Sequence, residues 1–335
     1  MLSFEMAFSE LCYLILSFYR SITVAFFQYL LSFLLNLYQL PLVSLADVLL
    51  GIYFRFCGLS PCTINLDDQT SMYFWTANQT LSNKPSLVMI HGYGGNSKWQ
   101  FVRQVGTLSK SFNLHIPDLL FFGKSYTNRP DRTEIFQAKC VFQGLKRLGV
   151  DRFAIYGISY GGFVAYRMAE IYPKDVDKVV IVSCGIGSTD EQKEEHLKKI
   201  GRDAKKILVP ESPQDLRLLV NLSVYNSDAF MWMPDYFYTK FINVMYKEHK
   251  KEKIELLEYL LSQKADPNLP LLTQETLIVW GQEDKVFPVY LAYQLQRHLG
   301  SKSNVEIIKD TGHAVNIDAP DSLNTLITSF VLGCS

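Results

Sequence analysis

The 335-residue sequence predicts an α/β domain in which a mostly parallel sheet is covered by helices on both faces. Three observations support this. From about residue 62 onward, short β-branched-rich apolar runs alternate with amphipathic stretches, the pattern of buried parallel strands and their covering helices. The alternation then stops for about ninety residues between "VVIVSC" and "TLIVWG", which marks a mainly helical insertion. Finally, the first sixty residues carry only Glu5, Glu10, Arg20, Asp47 and Arg55 as charges, so they form an apolar region of their own.

That N-terminal region, residues 1–57, reads as membrane-associating. No acidic or basic side chain occurs from Ser21 to Ala46. As a helix this stretch would be roughly 39 Å long, against a hydrocarbon core of about 30 Å. Gln28, Asn36, Gln39 and Pro41 interrupt its apolar face, and "LCYLILSFY" with Arg20 also suits an in-plane helix, so spanning and lying on the surface both stay open. Glutamates stand where a signal peptide needs positive charge, which disfavours that reading. The plain alternative is a helical bundle packed on the globular domain.

The globular domain, residues 62–335, opens with "TINLDDQT" and "SMYFWTA", which read as a hairpin with a polar turn. The runs "SLVMIHG", "FNLHIPDL", "RFAIYGIS", "KVVIVSC", "TLIVWG" and "VEIIKD" follow as strands. "EIFQAKCVFQGLKRLG", "GGFVAYRMAEIYP" and "VYLAYQLQRHLG" are helical between or after them. The insertion, residues 186–270, contains two charge-rich runs, "TDEQKEEHLKKIGRDAKK" and "YKEHKKEKIELLEYLL", expected on solvated helix faces. Between them lies an aromatic stretch containing "FMWM", which suits the core of the insertion or a lipid portal.

Composition narrows the function classes. Lys+Arg and Asp+Glu each count 33, so no general attraction to nucleic acid arises. The six cysteines are scattered without CxxC pairs or zinc-ligand spacing. They read as reduced and mostly buried thiols of a reducing compartment, and Cys57 and Cys62 are near enough along the chain either to pair or to stay free.

The chemistry is concentrated in "YGISYGG". Ser159 stands between Gly157 and Gly161, after a strand and before a helix. A corner this tight leaves no room for side chains at 157 and 161, and it lifts the serine hydroxyl out of the backbone. Serine is a weak nucleophile, so it needs a base, and the base needs a carboxylate to orient it. His313 follows the last strand in "KDTGHAVN", and Asp284 follows the preceding strand in "VWGQEDKVFP". Glu283 is the nearest rival to Asp284, whose spacing from the strand favours it. All these positions fall at strand ends on one rim, where open α/β sheets bind ligands. "MIHGYGG" brings the Tyr93 N–H toward that rim, where it pairs with the Tyr160 N–H as an oxyanion hole. His91, Gly92 and Asp118 read as loop-shaping residues, as do the corner glycines Gly157 and Gly161. His115, His196, His249 and His298 read as ordinary histidines.

From about residue 62 to the C-terminus these motifs resemble the α/β-hydrolases, and within them the membrane-anchored monoacylglycerol-lipase-like serine hydrolases. The segment "CGLSPCTINLDDQTSMYFWTA" is similar to plant members. The resemblance implies a mostly parallel eight-stranded sheet, a cap at 186–270 and the catalytic set Ser159, Asp284 and His313. Serine at the corner, where epoxide hydrolases and dehalogenases of this fold carry aspartate, argues against those activities. The expected reaction is hydrolysis of a small lipophilic carboxylic ester through an acyl-enzyme, with no metal or organic cofactor and with a membrane as partner. An acyltransferase, or a ligand-binding receptor on the same fold, uses the same residues.

Overall fold

The computed structural model describes residues 19–20, 22–29, 41–201, 203–266 and 268–333. Residues 1–42 form one compact unit and residues 43–335 a second. In the first, residues 22–29 are helical, with the Phe26 and Phe27 rings edge-on at 5.9 Å. Residues 30–40 of the uncharged run lie outside the described residues. Among the described residues no helix is long and apolar enough to cross a membrane.

The second unit begins with a helix, Leu42–Phe56, earlier than the boundary at residue 62 expected from composition. The helix is tied to the domain from one side. Its Phe54 is fully buried against Trp75, with ring centroids 5.3 Å apart. The lone charge midway, Asp47, accepts hydrogen bonds from the Trp99 indole at 3.0 Å and the Lys98 ammonium at 2.6 Å. A low count of charges therefore concealed a polar tether.

The strands are β1 (Leu59–Asn65), β2 (Thr70–Ala77), β3 (Ser86–Ile90), β4 (Asn113–Pro117), β5 (Tyr126–Thr127), β6 (Phe153–Ile158), β7 (Val176–Val182), β8 (Glu275–Gly281) and β9 (Ser303–Ile308). Their order is β1-β2-β4-β3-β6-β7-β8-β9, with β5 beside β2. The eight expected strands are present, and two-residue β5 makes a ninth. Pairing is antiparallel at β1–β2 and β2–β4 and parallel from β4 through β9. Alternate residues feed two cores, as the period of two requires. Val88 and Ile90 of β3 face one side with Ile155 and Trp280, whereas Leu87 and Met89 face the other with Tyr156 and Val279.

Between β7 and β8 stand the helices Asp190–Ile200, Ala204–Leu208, Pro213–Ser223, Asp228–Met231, Asp235–Met245 and Lys250–Ser262. The first opens on a capping box in which Thr189 and Gln192 satisfy each other's backbone N–H. Val209, Leu216, Tyr238, Ile242, Met245 and Leu257 form the insertion's own core, and Val43 joins it. Two sequence expectations change here. "FMWM" is not core, since Trp232 is 88% exposed. The second charge run is not all solvated either. Lys253 is buried, donating to the Met245 carbonyl at 2.9 Å and the Glu248 carbonyl at 2.7 Å, and burial pushes its pKa down to about 8.

Candidate active site

Ser159 sits at the turn between β6 and the helix Tyr160–Ile171 with φ +53° and ψ −120°. That backbone costs a non-glycine residue about 1–3 kcal/mol and persists only where its surroundings enforce it. They do. The Ser159 N–H donates to the Val182 carbonyl at 2.8 Å, and its carbonyl accepts from Gly162 at 2.9 Å. A Cβ on Gly157 would lie 2.3 Å from the Gly161 carbonyl oxygen, and one on Gly161 only 2.2 Å from the Ile90 carbonyl oxygen. The flanking glycines are sterically obligatory.

The loops after β8 and β9 bring two further side chains to this corner. His313 Nε2 lies 2.9 Å from Ser159 Oγ, and His313 Nδ1 lies 2.9 Å from Asp284 Oδ2. The Asp284 side chain is fully buried, and its Oδ1 accepts the N–H groups of Val286 and Phe287, each at 2.8 Å. Those two bonds leave Oδ2 free for the imidazole. Glu283 is exposed and meets none of these groups. With Nδ1–H donating to Asp284, Nε2 is the acceptor that faces the serine hydroxyl. This is the arrangement that lets a hydroxyl lose its proton as it attacks.

The loop after β3 closes the other side of the corner. Gly92 lies so close to the corner that a Cβ on it would be 3.1 Å from Ser159 Cβ. Tyr160 is the first residue of its helix, so its N–H has no intrahelical acceptor. No backbone carbonyl among the described residues accepts the N–H of Tyr93 or Tyr160. The Tyr93 ring packs edge-on against Phe122 and Tyr160, and its hydroxyl donates to the Lys253 carbonyl in the insertion.

The loop-shaping residues each have an observable task. His91 is fully buried. Its Nδ1 donates to the Gly92 carbonyl at 2.8 Å and its Nε2 accepts the Leu119 N–H at 2.9 Å, which fixes a neutral tautomer. Burial holds its pKa down, against the opposing pull of the Asp118 charge. Asp118 accepts from the Ser97 N–H at 3.0 Å and the Lys124 N–H at 3.2 Å, joining two loops. His115, His249 and His298 make no hydrogen bond to Ser159, Asp284 or His313, and the His196 side chain lies outside the described residues.

Two positioning residues escaped sequence reasoning. Gln100 clamps the glycine loop, accepting the Gly92 N–H at 2.8 Å and donating to the Gly92 carbonyl at 2.9 Å. Asp318 accepts the Gly312 N–H at 2.8 Å and the Tyr225 N–H at 2.9 Å, joining the His313 loop to the insertion. Neither follows from a local motif. Among the described residues no three metal-ligating side chains cluster, and Cys57, Cys62, Cys140 and Cys184 are free thiols.

A cavity of about 350 Å³ runs between the insertion and the helix Tyr160–Ile171, lined by Phe163, Leu197, Leu260, Leu269 and Leu291. Phe287 forms one wall, and its ring also stands 5.5 Å from that of His313.

Residues 85–320 match the family model described as the alpha/beta hydrolase fold. The chain belongs to the α/β-hydrolase family. It is 28% identical over 263 residues to "Monoacylglycerol lipase ABHD6" of Mus musculus, covering 74% of this chain and 76% of the relative. It is also 28% identical over 261 residues to a "2-hydroxy-6-oxononadienedioate/2-hydroxy-6-oxononatrienedioate hydrolase" of Pseudomonas sp, covering 73% and 87%. Among solved structures, a bacterial membrane phospholipase A superposes with a TM-score of 0.74 at 21% identity, covering 91% of this α/β-hydrolase and 98% of that chain. That likeness concerns the fold. These animal and bacterial relatives do not bear on the plant resemblance of residues 57–77.

Proposed function

We propose that the protein hydrolyses carboxylic esters of lipophilic acyl substrates, monoacylglycerols among them, with Ser159 as nucleophile, His313 as base and acid, and Asp284 as the orienting carboxylate. The observation that carries this reading is the continuous hydrogen-bonded chain from a buried carboxylate through an imidazole to a strained serine. As Oγ attacks the acyl carbon, its proton passes to His313 Nε2 and the carbonyl electrons move onto oxygen. The N–H groups of Tyr93 and Tyr160 receive that oxyanion. Collapse expels the alcohol oxygen, which takes the proton from Nε2. Water then gives its proton to Nε2 and attacks the acyl group, and Ser159 leaves with the proton returned. Asp284 orients the imidazole and stabilises the imidazolium that forms.

The lipophilic substrate class is supported by the mouse relative's name and by the apolar lining beside Phe287. The dicarboxylate in the name of the Pseudomonas relative would call for a cation near the acyl site. Arg167, Lys193 and Lys264 border the cavity; Arg167 is already paired with Glu134 at 3.1 Å and Glu170 at 2.8 Å, and Lys193 donates to the Gln263 carbonyl at 2.9 Å. Residues 186–270 serve as the cap, and the apolar region 1–57 associates the enzyme with a membrane, its catalytic unit in a reducing compartment.

The test is labelling by a fluorophosphonate, followed by an ester panel running from short acyl chains to monoacylglycerols. Labelling that disappears in Ser159→Ala, together with turnover that prefers the longer acyl chains, is expected. A folded wild-type protein that neither labels nor turns over any ester refutes the hydrolase reading and favours a receptor. Acyl transfer to added alcohol in preference to water would make it a transferase.

A further inference from the structure

The helix Leu42–Phe56 is inverted relative to an ordinary surface helix. Its polar tie, Asp47, points inward to Trp99 and Lys98, and Phe54 is buried, so the helix cannot roll. Its outward face carries Leu45 (53% exposed), Leu49 (54%), Ile52 (43%) and Phe56 (85%), flanked by Val48 and Tyr53. Positions 45, 49, 52 and 56 follow a single helical stripe. Single exposed apolar residues are ordinary, whereas a contiguous stripe along a fixed helix marks an interaction surface.

We propose that this outer face lies in the interfacial layer of a lipid bilayer, so that the catalytic unit rests on the membrane along its N-terminal helix with the adjoining edge of the cap at the lipid surface. The occupant follows from the chain that precedes the helix. The uncharged run from Ser21 continues into it and ends only at inward-facing Asp47, so run and stripe adjoin with no charged side chain between them. A second copy of the chain would cover the stripe but would not account for the exposed Ile22, Phe26 and Phe27 of the run before it. The helix lies along the bilayer and does not cross it. Its 15 residues span roughly 22 Å against a hydrocarbon core of about 30 Å, and one of its sides is occupied by protein. Val43 packs with Tyr238, Ile242 and Met245 of the cap, which places that edge of the cap beside the membrane-facing flank. A lipid substrate is then drawn from the surface on which the enzyme sits. This last step deepens the functional reading above and rests on it.

The experiment uses the full chain in phosphatidylcholine vesicles containing a phosphatidylcholine with a diazirine on its acyl chain. After photolysis, peptide mapping is expected to find adducts on Leu45, Leu49, Ile52 and Phe56 and none on Val43 or Phe54. Adducts confined to residues 1–41 overturn the proposal, as does a homodimer cross-linked through the helix in place of lipid adducts. A second arm replaces Leu45, Leu49, Ile52 and Phe56 with Gln. Hydrolysis of vesicle-borne monoacylglycerol should fall on the order of tenfold, because interfacial binding scales with buried apolar area. Hydrolysis of a soluble short-chain ester should stay unchanged. Equal behaviour on both substrates overturns the proposal. If wild type hydrolyses neither ester, the functional reading fails, while the photolabelling pattern still decides the docking surface.

Discussion

Replacing Gly161 by Ala tests whether the serine corner and the glycine loop after β3 are one mechanical unit. The added methyl would stand 2.2 Å from the Ile90 carbonyl oxygen and 2.6 Å from that of His91, whereas real Cβ contacts essentially never fall below 3.0 Å. At least 3.0 − 2.2 = 0.8 Å of separation must therefore open. Neither side is soft. Ile90 is paired with Gly157 on β6, and the serine corner is pinned by the Ser159 N–H to the Val182 carbonyl. Overpacking of this kind costs about 1–3 kcal/mol of stability. The displacement also separates Ser159 from the loop bearing the Tyr93 N–H, and a misplacement near 1 Å costs on the order of 10²-fold in rate. Unfolding curves would report the first effect. The kcat of a soluble ester, normalised by fluorophosphonate titration and measured well below the melting temperature, would report the second. Gly149→Ala is the control, since Gly149, unlike helical Gly161, has positive φ, yet nothing lies within 4 Å of an added Cβ. It should lose stability but not rate. A folded Gly161→Ala enzyme with wild-type kcat would refute the argument.

Asp284→Asn keeps the shape but presents an amide to His313 Nδ1, so the imidazole adopts the tautomer that points an N–H at Ser159; kcat should fall on the order of 10⁴-fold with little change in KM. A comparable loss in Glu283→Gln would reassign the acid. Tyr93→Phe keeps the ring packing but frees the glycine loop from the Lys253 carbonyl, and kcat should fall several-fold while KM and melting temperature hold; a change in melting temperature alone would make the hydroxyl purely structural. His115 supplies a pH signature. Burial pushes its pKa from the ordinary 6.5 down to about 4, so its neutral form is the stable one in the fold. Its contribution is complete above pH 6.5 and is lost as pH falls toward 4, a total of about 3 kcal/mol. Unfolding free energies across that window should slope less in His115→Gln, with a residual slope from His91, and an unchanged slope would contradict the assignment.

Much of this protein was legible locally. The glycines around Ser159 signal a corner because steric exclusion acts over a few residues, and the inner strands declare themselves because they bury both faces. The order serine, acid, histidine could be read because each residue directly follows a strand. The rest depended on distant partners. Gln100 is an unremarkable helical residue until the fold sets its amide against the Gly92 backbone. Lys253 sits in a run of charges and is nonetheless buried, because its neighbours' carbonyls close around it. That the helix Leu42–Phe56 packs with the catalytic unit is hidden from composition, which weighs every residue alike, whereas the orientation of Asp47 and Phe54 decides which side of the helix meets protein.

The sequence alone thus determined which chemical groups are available and in what order they meet the rim of the sheet, since backbone sterics and hydrophobic periodicity are short-range properties. Only the tertiary structure decided which of two adjacent carboxylates faces the imidazole, what holds the glycine loop, and which face of the helix Leu42–Phe56 is exposed. Those outcomes depend on where separated parts of the chain come together, and distances between such parts are set by the packing of the whole unit.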